Sequence, residues 1–183
     1  MSLQRPPYLP GDRAQEPETE RMIRVDHAGE YGATRIYDGQ LAVVGRGRAR
    51  DEIRRMSEQE KRHLAAFDRL LPQRQVRPTL LHPLWHVAGF ALGAATALLG
   101  ERAAMACTVA VEEVIDEHYQ GQAERLGGAD PALSATIVEF RADELAHRDA
   151  ALAMGAEETL GYDLLSAVIK TGSRLAIWLS ERL

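Results

Sequence analysis

The sequence predicts an all-α fold, because helical periodicity recurs four times and no segment shows the alternation of a β-strand. Apolar side chains follow alternating three- and four-residue steps in residues 23–44, 53–70, 105–126 and 133–154. The composition agrees with one compact domain, since 45% of the 183 residues are hydrophobic and 27% are charged. We therefore expect a bundle of helices around a single core.

The ends of these helices carry their own signals. The second helix is expected to stop at Pro72, which has no backbone N–H, and the third at the glycine pair 127–128. Asp130 and Pro131 are a favourable cap and first residue for the fourth helix, which is expected to end before Gly155.

The two termini differ from the central helices. Residues 1–19 contain four prolines and are predicted to be an irregular lead-in, with residues 20–183 forming the domain. This lead-in is acidic and lacks the pattern of a signal or transit peptide. A further helix is predicted over residues 162–182.

Charge and cysteine content exclude several classes of protein. With 22 Lys and Arg against 27 Asp and Glu, the chain has no overall positive field, and no nucleic-acid partner is expected. The single cysteine, Cys107, can form neither an intrachain disulfide nor a cysteine pair for zinc. A reducing compartment is therefore expected.

Glutamates interrupt all four apolar stripes. Each stripe holds a glutamate where leucine or isoleucine is expected, and in two of them a histidine follows three residues later on the same face. The residues are Glu30, Glu60, His63, Glu112, Glu144 and His147. The layout is duplicated, with 30 residues between the first two glutamates and 32 between the last two. Two helix pairs joined by a long crossover are typical of a ferritin-like four-helix bundle.

Four carboxylates in an apolar bundle need a counter-charge. Burying each one ionised costs several kcal/mol, against a net domain stability of roughly 5–15 kcal/mol. Two divalent cations balance them, and carboxylate and imidazole ligands without thiolate favour iron or manganese over structural zinc. A single glutamate on a helix is ordinarily solvated, and a Glu-x-x-His motif also arises by chance. The metal site is therefore predicted from the combination, since both motifs and both remaining glutamates fall on apolar stripes.

Several segments resemble those of one protein family. They are VDHAGEYGA (25–33), EKRH (60–63), RPT (77–79), PLW (83–85), GFALG (89–93), ACTVAVEE (106–113) and SERL (180–183). In this order they resemble the demethoxyubiquinone hydroxylases of ubiquinone biosynthesis. The resemblance implies a di-iron centre on the six residues named above, with Glu60 and Glu144 bridging the two ions.

The reaction implied by this resemblance is hydroxylation of the ring of a demethoxy polyprenyl-quinol with O2. Electrons would come from NADH or from a reductase, and no glycine-rich nucleotide loop decides between them. His118 and Tyr119 are candidate catalytic residues that orient the head group or relay protons and electrons, although a surface histidine and a core tyrosine fit the sequence equally well. Asp143 is a candidate to accept a hydrogen bond from a ligand histidine.

The uncharged segment 78–100 raises the question of a membrane. Only about 17 residues follow Pro83, roughly 25 Å of helix, which is short for a bilayer. A crossing would also separate the second and third helices, which share the metal site. We expect a crossover helix that dips into one leaflet or packs on the bundle, with Trp85 and Trp178 at interfacial depth and an apolar opening for the polyprenyl tail. An ordinary buried crossover helix is the alternative.

These observations predict a peripheral protein of the cytoplasmic face of the bacterial inner membrane or, alternatively, of the matrix face of the mitochondrial inner membrane. A homo-oligomer formed through Gly89, Gly93 and Ala97, or membership of a ubiquinone-biosynthesis complex, stays open. Two other functions also stay open. One is a ferritin-like ferroxidase or iron-handling protein, and the other is a non-catalytic quinone-binding scaffold.

Overall fold

A computed structural model describes residues 18–183 of the chain. These residues form six α-helices, one short 3-10 helix and no strand, so the predicted all-α fold is confirmed. The helices are α1 (Glu18–Val43), α2 (Arg48–Arg74), α3 (His82–Leu98), α4 (Glu101–Leu126), α5 (Pro131–Ala153) and α6 (Tyr162–Ser180), with the 3-10 helix at Ala156–Glu158.

Helices α1, α2, α4 and α5 form the four-helix bundle. Both α2 and α4 run antiparallel to α1, since Tyr37 near the end of α1 contacts Met56 and Glu112, whereas His27 near its start contacts Asp68. Helix α5 runs antiparallel to α4. Helices α2 and α4 therefore point in the same direction. The chain needs a long connection to pass from the end of α2 to the start of α4, and α3 lies in this connection.

Two apolar clusters fill the ends of the bundle and leave a polar layer between them. One end holds Tyr37, Val44, Ile53, Met56, Met105, Val109 and Ala151. The other holds Met22, Ile23, Phe67, Tyr119, Leu126, Leu133, Ile137 and Phe140. On each helix the predicted glutamate lies between these two sets, so the four glutamates meet at mid-height, shielded from water at both ends.

The crossover helix α3 packs closely along α1 in the same direction. Gly89 lies against the backbone of Gly32, and Gly93 lies against the backbone of Ile36. Gly39 of α1 meets the backbone of α3 in turn. The small residues of α3 thus allow two helices of one chain to approach, and Gly89 and Gly93 are buried by that contact rather than presented to a second copy.

The helix ends agree with the sequence at most positions and differ at two. Asp130 caps α5 by accepting a hydrogen bond from the backbone N–H of Leu133, and Gly127 ends α4. The expected stop at Pro72 is wrong, because α2 continues to Arg74. A proline in the last turn gives up a single hydrogen bond, and Gln75 closes the helix in a left-handed conformation. Residues 18 and 19, predicted to be irregular, begin α1, and residues 1–17 of the predicted lead-in lie outside the described part of the chain.

Candidate metal centre

The four stripe glutamates meet inside the bundle. Glu30, Glu60, Glu112 and Glu144 come one from each helix, and each is at most 2% exposed. His63 and His147 lie one turn after Glu60 and Glu144 and are equally buried. The predicted burial of these acids in place of leucine or isoleucine is therefore confirmed.

Among the described residues, two groups of side chains bring possible ligand atoms within 4.8 Å of one another, and each group could hold a metal ion. One group is Glu30, Glu60, His63 and Glu144. The other is Glu60, Glu112, Glu144 and His147. Glu60 and Glu144 belong to both groups, so they are the two residues that could contribute an oxygen atom to each.

The two histidines point one ring nitrogen each at the carboxylates. Nδ1 of His63 lies 3.1 Å from Glu144 Oε1 and 3.5 Å from Glu30 Oε2. Nδ1 of His147 lies 3.0 Å from Glu60 Oε1 and 3.2 Å from Glu144 Oε2. A neutral imidazole presents a lone pair on one nitrogen, so this orientation suits metal binding through Nδ1.

Asp143 fixes the ring of His63 from outside. Its Oδ2 accepts a hydrogen bond of 3.0 Å from Nε2 of His63, as the sequence analysis expected for a residue beside Glu144. A carboxylate on the outer nitrogen sets the tautomer that leaves Nδ1 free to bind. The ring of His63 also stacks on Phe140, with 4.0 Å between ring centroids, which limits its rotation.

Two buried tyrosines hold the two outer glutamates. Tyr37 on α1 donates a hydrogen bond of 2.6 Å to Glu112 Oε1 on α4, and Tyr119 on α4 donates to Glu30 Oε1 on α1. Burial, followed by repulsion from the nearby glutamates, raises the pKa of both tyrosines well above the usual value, so both remain donors. Sequence reasoning singled out Tyr119 and missed Tyr37 as a site residue. The available signal was spacing, because each tyrosine follows its helix's glutamate by seven residues.

Most remaining oxygens of the glutamates have no hydrogen-bond partner within the described residues. They are Oε2 of Glu30 and Glu112 and both oxygens of Glu60 and Glu144. Buried polar atoms are nearly always satisfied in proteins, so this concentration of orphaned oxygens fits a site completed by cations. Outer carboxylates with one free oxygen and inner ones with two match terminal and bridging ligands of a metal pair.

Without metal, burial governs how these groups ionise. Burial raises the pKa of Glu60 and of Glu112 well above the usual range, and the Glu144 carboxylate raises both further. Burial alone lowers the pKa of His63, but its contacts with Glu144 and Glu30 override this and raise it to about 11. Burial lowers the pKa of His147. In the absence of a cation, protons would therefore neutralise part of the charge of this cluster.

The structure places His118 away from both metal-capable groups. Its Nε2 lies 3.1 Å from Oδ1 of Asp26, a fully buried carboxylate one turn before Glu30, and 2.8 Å from Nε2 of Gln122. Burial raises the pKa of Asp26, and His118 opposes that shift. Of the two predicted catalytic residues, Tyr119 contacts Glu30 of the cluster directly, whereas His118 contacts Asp26.

An apolar cavity of about 390 Å³ lies beside the cluster, between α1, α3, α4 and α6. Small residues such as Gly29, Gly32 and Gly172 keep it open, and Ile115 and Leu92 contribute larger walls. A narrower void, too tight for a water molecule, shares Ala33, Ile36 and Val111 with this cavity and is also lined by Tyr37 and Glu112. The apolar cavity is thus separated from Glu112, one of the outer glutamates, by the three side chains that it shares with the narrow void.

Comparison with known proteins agrees with this geometry. Residues 17–180 match the family described as "Ubiquinone biosynthesis protein COQ7". The chain belongs to this family. It is similar to a "3-demethoxyubiquinol 3-hydroxylase" of Rhodospirillum rubrum, with 58% identity over 175 residues, 95% of this chain and 82% of that protein. The resemblance found in the sequence is therefore confirmed.

Eukaryotic members of the COQ7 family are also similar. A Homo sapiens protein named "NADPH-dependent 3-demethoxyubiquinone 3-hydroxylase, mitochondrial" is 52% identical over 176 residues, 94% of this chain and 81% of its own. A Saccharomyces cerevisiae protein named "5-demethoxyubiquinone hydroxylase, mitochondrial" is 41% identical over 187 residues, 93% of this chain and 80% of its own. The human relative is named as NADPH-dependent, whereas the resemblance found in the sequence implied NADH or a reductase as the electron source.

Proposed function

We propose that this protein is a di-iron monooxygenase that hydroxylates the ring of a demethoxy polyprenyl-quinol with O2 in ubiquinone biosynthesis. The names of its relatives in the COQ7 family support the reaction and the substrate class. The observation that carries the proposal is the buried cluster, in which two metal-capable groups share Glu60 and Glu144. Hydroxylation of the ring C–H consumes O2, two electrons and two protons and yields the hydroxylated ring and water.

In this proposal each group holds one iron ion. Glu30 and His63 bind one ion, Glu112 and His147 bind the other, and Glu60 and Glu144 bridge them. Bound iron supplies the electrons and the Lewis acidity that activate O2. Tyr37 and Tyr119 fix the outer carboxylates, and Asp143 fixes His63. Tyr119 and His118 line neither the apolar cavity nor the void, so of the two roles expected from the sequence we propose the relay of protons and electrons to the cluster, with a reduced nicotinamide nucleotide or a reductase as the source.

The apolar cavity is proposed to receive the substrate. Its walls come from four helices and are almost free of charge, so they suit a polyprenyl tail and exclude water from the ring. Trp85 closes one end by donating a hydrogen bond of 3.0 Å to the hydroxyl of Ser180. This contact ties the start of α3 to the end of α6, the two outer helices that flank the cavity.

The proposed location is a membrane surface. No helix of the described residues is long and apolar enough to span a bilayer. Helices α3 and α6 nevertheless expose large apolar side chains beside the cavity, namely Leu84, Val87, Phe90, Val168, Leu175 and Trp178. Arg35 lies over the ring of Phe90 and Arg182 over that of Trp178, so a lipid surface bound to these apolar side chains would also meet two cations. We propose peripheral binding to the cytoplasmic face of a bacterial inner membrane, or to the matrix face of the mitochondrial one.

The deciding experiment loads the protein with iron under anaerobic conditions and then adds O2, a reductant and a demethoxyquinol. We expect mass analysis to show one oxygen atom from O2 added to the ring. Iron oxidation without product, together with assembly into a large iron-filled shell, would establish the ferroxidase instead. Production of ubiquinone in cells by Glu112→Ala and Glu144→Ala variants that bind no metal would establish the scaffold.

A further inference from the structure

The two tyrosines of the metal centre are related by an internal symmetry. Tyr37 and Tyr119 each lie seven residues after the outer glutamate of their own helix, and each donates to the outer glutamate of the opposite helix. Both side chains are at most 2% exposed. If the tyrosines only completed the packing, nothing in these contacts would distinguish one from the other.

The apolar cavity and the narrow void distinguish the two tyrosines. The narrow void that adjoins the apolar cavity is lined by Tyr37 and Glu112. Neither Tyr119 nor Glu30 lines the cavity or the void. The wall between the two spaces is formed by Ala33, Ile36 and Val111, which are small or aliphatic side chains. The void beyond this wall is too tight for a water molecule and is also lined by Thr108, so a planar ring would reach Glu112 from the cavity by displacing the aliphatic side chains of the wall.

We propose that the substrate ring reaches the metal centre on the side of Glu112, and that Tyr37 is a positioning residue that holds this carboxylate while the ring arrives. This inference rests on the proposed function and adds the direction of approach. Tyr37 anchors Oε1 of Glu112, whereas Oε2 has no hydrogen-bond partner within the described residues. A carboxylate held through one oxygen cannot swing into the void when a ring enters from that side.

Phenylalanine is a suitable replacement for Tyr37. Besides Glu112, the hydroxyl contacts Sδ of Met56 at 3.8 Å, and the ring packs edge-on against His147. Tyr37→Phe removes the donor and keeps this packing. Tyr119→Phe is the matched control, since it removes the equivalent hydrogen bond that Tyr119 donates to Glu30. Neither of these two residues lines the apolar cavity or the narrow void.

The test compares both variants with the wild type as iron-loaded proteins. It measures iron per chain, the steady-state constants, and the change in the near-infrared magnetic circular dichroism of the ferrous protein when a demethoxyquinol is added. For Tyr37→Phe we expect unchanged iron content, an unchanged KM, a kcat lowered about tenfold or more, and a loss of the substrate-induced spectral change. Tyr119→Phe should keep that spectral change, whatever its effect on turnover.

Three results would overturn the inference: a wild-type spectral response in Tyr37→Phe, an equal loss of response in both variants, or a loss of iron from Tyr37→Phe. The proposed function fails separately, through absence of hydroxylated product from the wild type. The spectral comparison needs only substrate binding, so it still decides the role of Tyr37 in that case.

Discussion

Glu60 and Glu144 are exceptional residues, because neither oxygen of either side chain has a hydrogen-bond partner within the described residues. Each is fully buried and faces two further carboxylates. Such a residue destabilises the metal-free fold, since removing a carboxylate from water costs several kcal/mol unless it is neutralised. We therefore expect both residues to be metal ligands, since a bound cation would offset this cost.

The Glu60→Gln variant separates the cost of burying this carboxylate from its expected contribution to metal binding. The substitution removes a buried acid and its repulsion from Glu144, so we expect the metal-free variant to be more stable than the metal-free wild type. We also expect it to bind less iron and to lose the stabilisation that iron gives, because both sites lose a shared ligand. Thermal unfolding with and without iron, combined with iron analysis, measures both effects.

Glu113→Gln is the control, since Glu113 follows Glu112 directly but forms an ion pair with Lys170 near the surface. It should leave iron content and metal-induced stabilisation unchanged. A Glu60→Gln protein that binds iron at the wild-type ratio would show that Glu60 is not a shared ligand.

Metal affinity should rise with pH. Burial raises the pKa of Glu60, Glu112 and Glu144, and contacts with Glu144 and Glu30 raise that of His63 to about 11. Burial thus makes the glutamates bind protons more tightly than usual and His63 is protonated at neutral pH in the metal-free protein, and a bound cation must displace these protons. We expect calorimetric titration with ferrous iron in buffers of different ionisation enthalpy to show net proton release. An affinity that is equal in mildly acidic and mildly alkaline buffer would contradict this.

At the scale of residues, helical periodicity predicted which glutamates and histidines form the cluster, but not which side chains hydrogen-bond to them. A glutamate in an apolar stripe is visible in the sequence, because helical spacing fixes which residues share a face. The partners of those glutamates come from other helices, and one sequence carries no direct signal for such contacts. The seven-residue spacing marks Tyr37 as the counterpart of Tyr119 but does not show that its partner is Glu112, and Asp26 was missed because its pairing with His118 spans two helices.

At the scale of elements, the contact between α3 and α1 leaves no room for an added side-chain atom at its glycines. A Cβ added at Gly93 would lie 1.9 Å from the carbonyl oxygen of Ile36, and one added at Gly39 would lie 2.2 Å from that of Phe90. Backbone atoms of two helices cannot move apart locally, so α3 would have to shift as a unit. Since α3 forms one wall of the apolar cavity, its position also sets the shape of that cavity.

Gly93→Ala should therefore destabilise the protein by about 2–3 kcal/mol, the usual cost of forcing extra volume into a tight contact. Gly172→Ala is the matched control on α6, where nothing lies within 4 Å of the added Cβ. It should stabilise the protein by about 0.5–1 kcal/mol, because alanine favours a helix over glycine. Chemical unfolding of both variants tests the pair. Equal stabilities would show that α3 is loosely attached.

The sequence predicted the number and order of the elements more reliably than their contacts. The length of the connection and its spacing of small residues indicated a close helix contact, but not which surface would be the partner. The structure shows that the partner is α1 of the same chain. The predicted end of α2 at Pro72 was wrong for a related reason. The rule that proline ends a helix does not specify how many residues of the last turn follow the proline.

At the scale of the whole molecule, apolar exposure is concentrated beside the cavity. Large exposed apolar side chains cluster on α3 and α6, which lie next to each other around the cavity, whereas α5 contributes Val138. Apolar patches of this kind mark surfaces that contact a partner or a membrane. A substrate with a polyprenyl tail dissolves in lipid, so a cavity that opens within such a face can receive it without crossing water.

Val87→Glu on α3 tests this arrangement against Val138→Glu on α5. Both valines are exposed to a similar extent, 65% and 55%, so the same charge is added to a solvent-facing position in each case. Burying one valine contributes about 1.5 kcal/mol, so we expect Val87→Glu to weaken binding to anionic phospholipid vesicles roughly tenfold or more. Val138→Glu should bind as the wild type does, and both should keep iron. Vesicle flotation measures the bound fraction, and equal flotation of the two variants would place the membrane contact elsewhere on the molecule.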